Sequence, residues 1–153
     1  MRKNVKKQLA LRVLSTAALV AMVSSIATAA FADTYDVTKG SVDILAEGGE
    51  QRITQRDDTG AFVKDEKGDI DHRLDSKIVL TTKNKDTGET ETAHNTVTID
   101  AKEGNTANVT LQDVHIEVDT TKAKSGAIEI KGDGNTNLEL NGDNTVLVEN
   151  EWF

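Results

Sequence analysis

Thr96-Val97-Thr98-Ile99-Asp100, Gly104-Asn105-Thr106 and Asn108-Val109-Thr110-Leu111 are answered further along by Ala127-Ile128-Glu129-Ile130-Lys131, Gly134-Asn135-Thr136 and Asn137-Leu138-Glu139-Leu140, at an offset of 29 to 31 residues. Within each stretch apolar and polar residues alternate, and the apolar ones are mostly Val, Ile and Leu. Period two with β-branched residues marks strands with one buried face. Gly132-Asp133-Gly134-Asn135 and Asn141-Gly142-Asp143-Asn144 tolerate positive φ and supply the turns. A further short strand follows each stretch, at 114–118 and 145–148.

Three short strands per copy, with apolar residues inward and polar corners, are what one coil of a parallel β-helix needs. The expected fold class is therefore all-β, a short β-helix-like solenoid of about two coils spanning 95–153. An antiparallel β-sandwich satisfies the same alternation and is the alternative. Inward columns through Val109, Leu111, Leu138 and Leu140 follow from this register. In 33–55, Ser41-Val42-Asp43-Ile44 with Ala46, Gly48 and Ile53 reads as a degenerate or capping copy. Residues 56–94 are dense in charge and read as two mobile polar loops flanking one strand at 77–81.

Residues 1–32 have a different character. Arg2, Lys3, Lys6, Lys7 and Arg12 precede twenty uncharged residues rich in Ala, Ser, Thr and Leu, the layout of a signal peptide. Ala30-Phe31-Ala32 offers cleavage before Asp33, and a second site lies after Ala29. A permanent membrane anchor is the competing reading. Before cleavage the segment is expected to be helical, since it lacks Gly and Pro. Export to the cell surface or medium follows, with membrane contact only through this leader.

The remaining 121 residues, 33–153, hold 13 basic and 26 acidic side chains, a formal −13 behind the whole-chain −8. That excludes nucleic-acid binding through a basic surface. With no Cys, disulfides and thiolate metal sites are excluded too. Asp57-Asp58, Asp69/Asp71, Glu117/Asp119 and Glu149/Glu151 are close carboxylate pairs, read as solvated acidic surface. Asp65, Glu66, Asp69 and Asp71, or Asp133, Asn135 and Asn137, could offer oxygens to calcium, although neither set fits an EF-hand loop. His72, His94 and His115 are isolated, with His115 on the polar face of its strand. No nucleophile elbow or phosphate loop is present, so no enzyme, catalytic residue or cofactor is expected, and a metal site remains unassigned. An outward ladder of Thr98, Thr110, His115, Glu117, Glu129, Glu139 and Asn141 could form a flat polar binding face.

Thr34-Tyr35-Asp36-Val37-Thr38-Lys39-Gly40-Ser41-Val42, Ala107-Asn108-Val109-Thr110-Leu111-Gln112-Asp113-Val114-His115-Ile116 and Asn137-Leu138-Glu139-Leu140-Asn141-Gly142-Asp143-Asn144-Thr145-Val146 resemble the N-terminal region of large bacterial secreted and surface β-helix repeat proteins. The resemblance implies right-handed winding and an adhesin-like, carbohydrate-binding function directed at glycans or other cell-surface ligands. Those chains run through many more coils, so it also implies a truncated copy. Trp152 and Phe153 would then cap the last coil or promote self-association at an open sheet edge. The alternatives are a copy without independent function and a calcium-dependent binder of acidic polysaccharide.

Overall fold

The computed structural model describes residues 33–119, 121 and 126–149, together with the backbone of 20–22. The fold is all-β: strands joined by turns, one 3-10 turn at Val37–Lys39, and no α-helix among the described residues.

Strands β10 (Val97–Ala101), β11 (Thr106–Gln112) and β12 (His115–Asp119) follow one another along the chain. Each pairs in parallel with one of the next three, β13 (Ile128–Lys131), β14 (Asn135–Asn141) and β15 (Thr145–Glu149). The registers are Val97↔Ile128, Val109↔Leu138 and Ile116↔Val146. On their other edges, β10, β11 and β12 pair in parallel with β3 (Ser41–Glu47), β8 (Ile78–Thr81) and β9 (Thr92–Ala93). Three sheets result, each with a parallel run that takes one strand from each successive set. Parallel neighbours cannot be joined by tight hairpins, which rules out the antiparallel sandwich for these strands.

The alternation explains the core. Val42, Ile44 and Ala46 stand beside Val97, Ile99 and Ala101, and Ile128 and Ile130 lie on the far side; all are buried. Ile78 and Leu80, Val109 and Leu111, Ile116 and Val118 fill the other two walls. Leu138 is buried as expected, but Leu140 is 43% exposed. The expected inward column fails there for a local reason. Among the described residues, the outer edge of β14 is paired at Thr136–Leu138, by β1 (Val20–Met22), and no described strand lies over Leu140.

Strand β1 also corrects the leader helix. At Val20–Met22 the backbone is a strand paired in parallel with β14, because an unpaired edge offers the N–H and C=O partners that a strand needs. The rest of the leader, its cleavage sites, and Trp152 and Phe153 lie outside the described residues. Among the described residues no helix is long and apolar enough to cross a membrane.

Five strands, not one, occupy the charged stretch. After β3 the chain reverses through Gly48 and Gly49, both at positive φ (62° and 79°). Two such residues form the hairpin turn whose twist matches its strands. Strand β4 (Glu50–Arg56) then runs antiparallel on β3 and carries β7 (Arg73–Leu74) on its outer edge. Between them lies the small hairpin β5 (Lys64–Asp65) and β6 (Gly68–Asp69), followed later by β8 and β9. This stretch is held by buried Val63 and Ile70, by the bidentate Arg73–Asp65 pair, and by Arg56 stacked 4.0 Å over the Phe62 ring. Strand β2 (Thr34–Asp36) pairs with β8 and buries Tyr35.

Candidate functional site

The outward ladder does not form one face. Thr98 and Glu129 are neighbours on one sheet, Thr110 and Glu139 on a second, and His115 and Glu117 on the third. Thr110 is itself buried. What the register gathers instead is a groove along the second sheet.

One end of the groove is a cleft of about 570 Å³ between the start of β4 and the corner joining β10 to β11. Gln51 builds its wall. This buried amide donates to the carbonyls of Asp75 (2.9 Å) and Asn108 (3.1 Å) and accepts from the Asn108 N–H (2.6 Å), tying β4 to β11. Asn105 closes the corner by accepting from the Gly49 N–H at 2.8 Å. Glu50, Ser76 and Thr106 add polar groups, and Leu74, 56% exposed, is the apolar surface.

A second cleft, of about 340 Å³, shares Ser76 and Asn108 with the first and continues past Lys77 to Asn137 and Glu139. Parallel pairing sets Asn137 beside Asn108, and their side chains are joined by a 2.9 Å hydrogen bond. In such a ladder each amide keeps further hydrogen-bonding capacity. Two residues on, the Glu139 Oε1 is shielded from solvent and has no hydrogen-bond partner. The Thr136 hydroxyl oxygen, on the same strand, is likewise unpartnered. A carboxylate oxygen in this condition is costly unless something donates to it.

Asp75 behaves differently. Its Oδ2 accepts from the Tyr35 hydroxyl (3.0 Å) and its Oδ1 from the Lys77 N–H (3.0 Å). Burial nonetheless raises its carboxyl above the ordinary value. Burial, reinforced by the Asp75 charge, also pushes the Tyr35 phenol upward. Glu50 is paired with Arg52.

The other sequence candidates are dispersed. Asp57 caps its own turn through Thr59 and Ala61, and the Thr59 hydroxyl first among these donors holds its carboxyl below the usual range. For the first calcium set, Asp65 binds Arg73, Asp69 sits 3.4 Å from Lys64, and Asp71 contacts His72. In the second set, Asn137 is engaged with Asn108. No group of three or more His, Asp or Glu able to hold a metal ion occurs among the described residues. His72 and His94 are exposed, and His115 lies outward, 4.0 Å from Asp143.

Comparison of the chain with family models, with curated proteins and with solved structures yields no match.

Proposed function

We propose that this is an exported, non-enzymatic, adhesin-like surface protein whose strands wind as a short right-handed parallel β-helix and whose groove binds carbohydrate. The parallel pairing of three consecutive strands with the next three, at offsets of 31, 29 and 30 residues, supports the winding. The basic, apolar and small-residue succession in 1–32 supports export.

The observation that carries the ligand class is the unpartnered Glu139 Oε1, in a cleft whose other lining residues are Asn108, Asn137, Ser76, Thr110, Val109 and Lys77. A sugar hydroxyl supplies the missing donor, while the Asn108–Asn137 pair serves neighbouring hydroxyls. Leu74 can cover the C–H face of a ring. Because both Asp75 oxygens already accept hydrogen bonds, this carboxyl is suited to shaping the wall rather than to moving protons.

The test uses Glu139→Met, which keeps the side-chain length and removes the charge. A bond to a charged group contributes about 1.5–3 kcal/mol, so loss of about tenfold or more in affinity for a neutral oligosaccharide found by glycan screening is expected. The free protein should become more stable, because an unsatisfied buried oxygen is gone. Unchanged affinity, or failure of every neutral glycan to bind, would overturn the reading. Export is checked by fractionation and N-terminal sequencing of the processed chain, which should begin at Asp33.

A further inference from the structure

Beyond the groove, and independently of it, we infer that a separate cleft beside Tyr35 takes the anionic group of an acidic glycan, a carboxylate or a sulfate, directly on lysine ammonium groups. The cleft has a volume of about 200 Å³. Lys39, Lys64, Lys83 and Lys85 line it, four of the 13 basic residues in a segment of formal charge −13. They come from three separate places: the end of the 3-10 turn, the β5–β6 hairpin and the loop after β8. Their convergence is thus a product of the fold rather than a basic run in the sequence.

The pairing pattern leaves this charge available. Of the two carboxylates in the lining, Asp65 is paired with Arg73, and Asp36 accepts through Oδ1 from the Thr38 N–H and hydroxyl. The lysines are loosely held. Lys64 is 3.4 Å from Asp69, and Lys83 and Lys85 are each 3.8 Å from an acid, with Lys39 in no ion pair among the described residues. Exposed pairs of this kind contribute little and exchange readily for an incoming anion.

The floor argues for a sugar rather than a bare ion. Tyr35, Val63 and Ile70 underlie the cleft, with Gln55 and Thr81 beside them, and all five are buried. A cleft of about 200 Å³ is roomier than an inorganic anion needs, and it can hold a ring bearing an acid while the charge meets the lysines. Tyr35 also donates to Asp75, so one hydrogen bond joins the walls of this cleft and the neutral groove.

The test is calorimetry on the full chain in EDTA, with oligogalacturonate, a sulfated oligosaccharide and inorganic sulfate as separate titrants. Binding of either acidic sugar is expected, weakened by salt and at least about tenfold tighter than inorganic sulfate. Lys39→Gln/Lys83→Gln/Lys85→Gln, all exposed positions, should weaken it about tenfold with an unchanged urea midpoint. Glu139→Met should leave it unaffected, which separates failure of this site from failure of the groove. Inorganic sulfate binding as tightly as the sugars, affinity unchanged in the triple variant, a requirement for calcium, or no binding of either acidic sugar would each overturn the assignment.

Discussion

Leu111 and Leu140 are partners in the β11–β14 register, yet one is 2% and the other 43% exposed. Truncating each to Ala therefore separates a covered strand from an uncovered one. At Leu111 the change removes buried methyl groups and leaves a cavity, which costs about 2–5 kcal/mol. At Leu140 no cavity forms, because solvent already reaches the site. Full burial of a Leu side chain is worth about 1.5–3 kcal/mol, and with close to half of it exposed the loss falls to about 1 kcal/mol. The difference, about 2 kcal/mol, corresponds to a gap of about 1 M between the two urea midpoints for a chain of this size. Circular dichroism in the β region, followed through urea unfolding at matched slopes, measures it. Equal midpoints for Leu111→Ala and Leu140→Ala would mean that Leu140 is covered in solution, by another segment or another copy, and would refute its exposure.

Three other outcomes are expected. The chain has a single Tyr, so absorbance at 295 nm follows Tyr35 alone. Its folded pKa lies above the ordinary 10.0, chiefly through burial, so its contribution to stability is fully present below about pH 10 and is lost as pH rises beyond it. Ionisation near pH 10 in the folded protein would contradict that burial. Gly142→Ala should cost at least about 1–2 kcal/mol, since φ is 73° and the new Cβ would meet the Asp113 Oδ1 at 2.2 Å; a neutral effect in thermal melts would contradict this corner geometry. Glu139→Met should raise the urea midpoint of the free chain by the equivalent of about 1 kcal/mol, the cost of an unsatisfied buried oxygen, and a lowered midpoint would mean that the carboxylate has a partner in solution.

The alternation in Val97/Ile99, Val109/Leu111 and Ile128/Ile130 was legible because hydrophobic residues alone decide which face of a strand turns inward. Strand β4 was not. Its inward positions include Gln51 and Gln55, buried because their amides reach backbone groups on other segments, and a hydrophobic pattern cannot register a polar residue used in this way. Strands β7 and β9, two residues each, are too short to show any period. Leu140 has the sequence of an inward residue, but among the described residues no strand lies over it, and it is exposed. The groove was invisible for another reason. Ser76, Asn108 and Asn137 are neighbours through strand register, not through sequence spacing. Glu139 stood among the outward residues, but its unpartnered oxygen depends on what surrounds it. The double glycine at 48–49 is the one local signal from which the β3–β4 reversal could have been read.

The central claim, that the groove along β11 and β14 receives a hydroxyl-rich ligand, is tested most directly by ¹⁵N-resolved NMR of the chain during titration with neutral oligosaccharides. The account predicts saturable shifts confined to the amides of Ser76, Asn108, Asn137 and Glu139 and their neighbours, absent in Glu139→Met. Shifts scattered over the surface, or a set that persists unchanged in that variant, would contradict it.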